Sequence, residues 1–276
     1  MRKLLFIILL LLVYTNGYCV DPTKIFLIGD SVTEIAYTDY LQANQPIAGY
    51  TITAPVFIPD EYTYYGAHIY DWSKPVGTVP PCDDFNYWGC IDADAGVLWV
   101  YSLGMNDVAS FNNGHYANLT AISTALLQFF SDLHSTFPNA RIIWGTTYPW
   151  DVDGFNAGAE SCWFGETGAV LPPVDPGASG YTWLNGSWVK FLGIVLPQIP
   201  AYVTVIDTWR QITYQNSADV DSWCDSYLVN DGKTCAHVSG NKVQLFYTNY
   251  ILPYLGQALV PAQIKGGGVS GGKVGY

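Results

Sequence analysis

Four short apolar runs most restrict what this chain can become: Lys24–Gly29 (KIFLIG), Gly96–Leu103 (GVLWVYSL), Arg141–Thr147 (RIIWGTT) and Val203–Asp207 (VTVID). Each is rich in β-branched or aromatic residues, and each is continuously apolar. A strand with one wet face alternates with period two, whereas a strand covered on both faces does not. The runs therefore predict a parallel sheet covered by helices. The intervening segments carry helical spacing. In Ala117–Phe137, Leu119, Ile122, Leu126, Phe129, Phe130, Leu133 and Phe137 fall three and four apart along one stripe, stopped by Pro138. Leu184–Leu196 is a second helix candidate. Ser239–Leu255 is a third, with Ser239 as its cap, Val243, Phe246, Tyr250 and Ile251 on one face, and Pro253 near its end. Strand–helix alternation over this length predicts one α/β domain.

Composition limits the partners. Half of the 276 residues are hydrophobic and 12% are charged, which is too apolar for a disordered chain. The net charge of −12 is the opposite of the basic footprint that nucleic acid or an anionic membrane surface requires. Arg2 and Lys3, the apolar run Leu4–Val13 and the small or polar Thr15, Asn16 and Gly17 have the layout of a secretory signal peptide. The run is far short of the roughly 20 residues that a membrane span needs. The expected division is a signal peptide over 1–19, one domain over 20–258, and a tail over 259–276 that is Gly-rich from Gly266. Once the signal is removed, no stable membrane insertion is expected.

Secretion makes the cysteines a disulfide question. Among Cys19, Cys82, Cys90, Cys162, Cys224 and Cys235, close spacing favours Cys82–Cys90 and Cys224–Cys235. Cys162 is then free or paired with Cys19. There is no C-x-x-C pair, so no zinc site is expected. Asn118-Leu119-Thr120 and Asn185-Gly186-Ser187 are N-glycosylation sequons. Residues 44–95 and 149–183 break the strand–helix pattern with Pro, Gly, Tyr and Trp, and long irregular loops of this kind are usually functional or flexible.

Three short motifs carry candidate chemistry. Gly29-Asp30-Ser31 closes the first run, which puts the Ser31 hydroxyl at the carboxyl edge of the sheet, where open α/β folds bind ligands. Alone, it also reads as a plain helix N-cap. Gly104-Met105-Asn106-Asp107 follows the second run, and the Asn106 amide can donate to developing negative charge. Alone, it also reads as a turn. Asp231 and His237 precede the last helix, and imidazole is the natural general base near neutral pH. Of the other histidines, His134 lies on the polar part of a helix and His115 in a Gly/Asn loop. His68 lies in the Tyr-rich stretch and is harder to set aside.

In this order the blocks IGDSVTE (Ile28–Glu34), LGMND (Leu103–Asp107) and DGKTCAHVSG (Asp231–Gly240) resemble the SGNH hydrolases, also called GDSL-type esterases and lipases. The resemblance covers roughly residues 24–255. It implies a flavodoxin-like three-layer α/β/α fold with Ser31 as nucleophile, His237 as base and Asp231 as its orienting acid. It further implies an oxyanion hole formed by the Ser31 N–H, the Asn106 amide and a backbone N–H at Gly66. Two departures stand out. The family's acid lies three residues before the histidine, where this chain has Thr234, so Asp225 or a Ser–His dyad are the alternatives to Asp231. The Gly66 block (YTYYGAHIYD) lacks the usual second glycine, and the N–H of Ile69 is an alternative donor there.

The implied reaction is acyl transfer from an ester through Ser31 to water, with no metal or organic cofactor. Ser31, in Gly29-Asp30-Ser31-Val32-Thr33, does not sit in the G-x-S-x-G of α/β-hydrolases. The Trp and Tyr of the irregular stretches suit stacking on sugars, so the expected substrate is a small-molecule or polysaccharide ester. The rival readings are a secreted carbohydrate-binding protein on the same scaffold without turnover, and an acyltransferase. The sequence leaves the oligomeric state open.

Overall fold

The computed structural model describes residues 21–54, 67–73, 87–109, 116–148, 180–215, 238 and 242–259. The apolar runs form one all-parallel sheet of β1 (Asp21–Gly29), β2 (Thr51–Thr53), β3 (Ala95–Tyr101), β4 (Arg141–Gly145) and β5 (Val203–Ile206). Their spatial order is β2-β1-β3-β4-β5, the doubly wound order of flavodoxin-like folds. Every residue of β3 is buried, as are Ile25–Gly29 of β1 and Ile142–Gly145 of β4. The continuous apolarity of these runs thus reflects cover on both faces. The edge strands β2 and β5 are only partly buried.

The helices are α1 (Ser31–Ala36), α2 (Ile69–Trp72), α3 (Met105–Ala109), α4 (Leu119–Thr136), α5 (Gly180–Val195), α6 (Thr208–Gln215), α7 (Lys242–Phe246) and α8 (Leu252–Leu259). A wide π turn, Tyr37–Leu41, continues α1, and another, Tyr247–Ile251, joins α7 to α8. Helix α4 packs against α2 and α5, and α3 packs against α4 and α5. The first π turn packs on α7, the second on α6, and α8 on β5. The helices therefore fall into two groups, giving the three-layer α/β/α arrangement. The expected stripe is the buried face of α4, where Ile122, Leu126, Phe129, Phe130 and Leu133 lie against the sheet side and Phe130 meets Trp144 of β4 at 5.8 Å.

Three elements depart from the sequence expectation, each for a local reason. Strand β2 lies in the stretch read as irregular, and it is only Thr-Ile-Thr with Ile52 alone buried. Its outer edge is sealed by the Gln45 side chain, which accepts from the Ile52 N–H at 2.8 Å and donates to the Ile52 carbonyl. That side chain occupies the bonds that an exposed edge would offer another strand. Helix α6 buries Thr208, Trp209 and Ile212 in an otherwise polar run, too sparse a stripe to stand out. The last helix runs through Pro253 to Leu259, past the expected end at Leu255. Proline cannot donate to the carbonyl four residues back and its ring crowds that carbonyl; the wider turn just before it accommodates both. Arg141 at the start of β4 donates to the carbonyls of Ala258 and Leu259 (2.7 Å to the latter), tying that helix end to the sheet.

His134, on the polar part of α4, stacks its ring on Tyr202 at 4.1 Å and 10°. Cys90 is disulfide-bonded, and every other cysteine lies outside the described residues. The expected signal peptide and Gly-rich tail also lie outside them. Among the described residues, no helix is long and apolar enough to cross a membrane.

Candidate active site

The chain crosses from β2 on one side of β1 to β3 on the other, so the topological switch lies between β1 and β3. Open α/β sheets bind ligands beyond the carboxyl ends of such a strand pair. Gly29 and Tyr101, the last residues of the two strands, are in register, so their following turns stand side by side. The first turn carries Asp30 and Ser31, and the second carries Ser102 and Asn106.

Asp30 joins them. Its extended backbone makes it the N-cap of α1, where Oδ1 accepts from the Val32 N–H at 3.1 Å. Its Oδ2 accepts from Ser102 Oγ at 3.1 Å and lies 3.5 Å from Asn106 Nδ2. Ser31 is the first residue of α1 and is 5% exposed. Thr33 Oγ1 donates to the Tyr101 carbonyl at 2.9 Å and adds a second tie between α1 and β3. The β3 turn is held in an unusual shape: Ser102 has φ +62° and Gly104 has φ +105°. Glycine adopts such a conformation freely; a side chain seldom does.

The segment 67–73 closes the site from a third direction. Trp72 is fully buried, and its Nε1 donates to the Gly29 carbonyl at 2.9 Å. Asn106 Nδ2 donates to the Ala67 carbonyl at 3.0 Å, and the Ile69 N–H donates to Asp107 Oδ2 at 3.1 Å. The N–H of Ile69, the alternative oxyanion donor, is thus engaged by Asp107. His68 caps α2, and its own N–H donates to Asp71 Oδ2 at 2.8 Å.

Burial sets the electrostatics. It pushes the fully enclosed Asp30 carboxyl up to about 7; the bonds from Ser102, Val32 and Thr33 pull the other way, and the Asp107 charge adds to the rise. Burial likewise pushes Asp107 up to about 6, against the pull of His68 and the Ile69 N–H. For His68, burial works to lower its proton affinity. The bond with Asp71 and the charges of Asp107, Asp71 and Asp30 outweigh it, so the net shift is upward. Tyr101 and Tyr247 are buried phenols held far above their ordinary range, first by burial and then by neighbouring tyrosines and Asp30.

Ser31 and Asn106, proposed from separate motifs, therefore stand on adjacent turns. His237, Asp231, the alternative acid Asp225 and Gly66 lie outside the described residues. Val238, the residue after His237, is described and buried; its N–H donates to Tyr148 Oη at 3.3 Å, just beyond the carboxyl end of β4. Sequence reasoning did not single out Asp30, Ser102 or Asp107 as the frame of the site. Two of them sit inside the quoted motifs, but their roles depend on which strands are neighbours. Among the described residues, no group of three His, Cys, Asp or Glu could hold a metal.

No protein-family model matches the sequence, and no curated protein does. Among solved structures, a carbohydrate esterase family 3 protein from Talaromyces cellulolyticus is 18% identical, covering 86% of this chain and 98% of its own, with a TM-score of 0.46. A putative GDSL-like lipase from Parabacteroides merdae is 13% identical, covering 87% and 97%, with a TM-score of 0.47. The acetyl xylan esterase AlAXEase is 13% identical, covering 86% and 100%, with a TM-score of 0.49. Likenesses this slight add nothing to the strand order and register described above, so the chain is placed by its own topology as a doubly wound α/β protein.

Proposed function

We propose that this protein is a secreted serine ester hydrolase of the SGNH type. The observation that carries the reading is the pairing of Ser31 and Asn106 on adjacent turns at the switch point, joined through Asp30. A hydroxyl and an amide donor at one sheet edge are the parts that acyl transfer needs. In this reading Ser31 attacks the ester carbonyl while His237 takes its proton. The Ser31 N–H, the Asn106 amide and the N–H at Gly66 hold the tetrahedral oxyanion. His237 then returns the proton to the leaving alcohol, and water releases the acyl group by the same route reversed. Asp231 orients the imidazole and stabilises its charged form. The position of Val238 beside Tyr148, at the same edge of the sheet, supports His237 as the base.

The substrate in this reading is a carbohydrate ester such as an acetylated polysaccharide. The aromatic-rich stretches of the sequence and the exposed Tyr70 on α2 support it. The signal-like N-terminus, the six cysteines and the two sequons support export, disulfide formation and glycosylation. Turnover of p-nitrophenyl acetate and release of acetate from acetylated xylan test the reading. Ser31→Ala and His237→Ala should each lower kcat by roughly a thousandfold or more, and Asn106→Ala by roughly a hundredfold to a thousandfold. Asp231→Asn should lower it far more than Asp225→Asn. Turnover unchanged by Ser31→Ala overturns the assignment.

A further inference from the structure

His68 is not required by the acyl-transfer reading, yet it stands at the centre of the contacts that close the site. The residue before it, Ala67, accepts from Asn106 at 3.0 Å, and the residue after it, Ile69, donates to Asp107 at 3.1 Å. Its neighbours therefore grip both members of the Asn106-Asp107 pair. Its ring faces a concentration of negative charge. Asp71 is on its own helix, with Oδ2 3.7 Å from His68 Nδ1. Asp107 acts on it from α3 and Asp30 from the β1–α1 turn. Burial holds the phenol of Tyr116 above its ordinary range, and the same Asp107 and Asp71 and the neighbouring Tyr70 add to the rise.

Asp30 and Asp107 are both enclosed carboxyls; the Asp107 charge raises the cost of ionising Asp30, and the Asp71 charge raises that of ionising Asp107. A cation facing both offsets that cost. We propose that His68 is a positioning residue: its imidazolium holds Asp107 ionised and the 67–71 segment seated, and this aims the Asn106 amide at the reacting oxygen. An ionised Asp107 is the stronger acceptor for the Ile69 N–H. When His68 loses its proton, Asp107 faces Asp71 uncompensated, and their repulsion pushes the 67–71 segment away and loosens the hold on Ile69. The adjoining Ala67 carbonyl then moves relative to Asn106. Displacements on this scale cost roughly tenfold to a hundredfold in turnover.

This proposal rests on the hydrolase reading, and its test separates the two. Its activity arm compares the wild type with His68→Gln, His68→Lys, Asp107→Asn and the His68→Gln/Asp107→Asn double variant on p-nitrophenyl acetate. His68→Gln should lower kcat roughly tenfold or more with little change in KM, and should remove an alkaline limb present in the wild-type kcat–pH profile. His68→Lys should recover several-fold of that loss by restoring a cation. Asp107→Asn keeps an oxygen for Ile69 and carries no charge, so adding His68→Gln to it should cost little more. The second arm needs no activity: NMR titration of the His68 ring should show its proton affinity falling in Asp107→Asn. Equal kcat in His68→Gln and the wild type, or an equal loss in His68→Lys and His68→Gln, overturns the proposal. So does an unchanged titration. If Ser31→Ala retains activity, the hydrolase reading fails instead, and the titration alone decides whether His68 serves Asp107.

Discussion

Asp30 gives the sharpest prediction, because its burial has a thermodynamic consequence with a definite sign. The carboxyl moves from an ordinary value of 3.8 to about 7 on folding. Between those values the folded chain holds a proton that the unfolded chain has released. Stability from this group is therefore fully present below about pH 4 and is lost as the pH rises towards 7. A change of this size corresponds to at most about 4 kcal/mol. Asp30→Asn isolates it. The amide oxygen can keep the Val32 cap, and Ser102 can reverse its hydroxyl to accept. The amide nitrogen, however, faces Asn106 Nδ2 donor to donor. The variant should be less stable at pH 4.5, by about 1 kcal/mol for one compromised buried contact. By pH 8 the order should reverse, because only the wild type then carries a buried charge. In urea, with a slope of about 2–3 kcal/mol per molar, the wild-type midpoint should fall by roughly 1 M more than that of the variant between pH 4.5 and pH 8. Parallel shifts of the two midpoints over that range would refute the claim that burial controls this carboxyl.

Three further outcomes follow from single contacts. Trp72→Phe leaves the buried Gly29 carbonyl without its indole donor and should destabilise by about 1–3 kcal/mol, read by denaturant midpoint. Gly104→Ala has room for its methyl group, since the nearest atoms are 3.7 Å away, but not for its backbone. At φ +105° it should cost about 1–3 kcal/mol and lower turnover by shifting Asn106. Asn118 caps α4 by accepting from the Ala121 N–H at 2.9 Å, so Asn118→Ala should lose about 1 kcal/mol while Asn118→Asp keeps most of it, measured by thermal or urea unfolding.

Much of this architecture can be read from the residues in order. Continuous apolar runs at 24–29, 96–103 and 141–147 mark strands enclosed on both faces, because a strand with one wet face would alternate and runs this short and this rich in β-branched and aromatic residues suit strands rather than helices. The stripe from Leu119 to Phe137 marks α4 for the matching reason at period 3.6. The motifs around Ser31 and Asn106 are equally visible, since chemistry restricts which side chains can attack or polarise a carbonyl. What remained hidden was weak in local signal. A three-residue edge strand buries one isoleucine, and α6 interleaves its few apolar residues with Arg210, Gln211 and Thr208.

Tertiary structure alone decided that β1 and β3 are neighbours, and that single fact converts two ordinary turns into one candidate site. Strand order depends on how crossovers close around a shared core, which no local window of sequence carries. It also decided the state of Asp30: an aspartate in a Gly-Asp-Ser turn is acidic when exposed, and becomes a near-neutral-pH group because burial, with the Asp107 charge added, outweighs the bonds from Ser102, Val32 and Thr33. Charge and proton affinity belong to surroundings rather than to residue type, and distant segments of chain supply those surroundings.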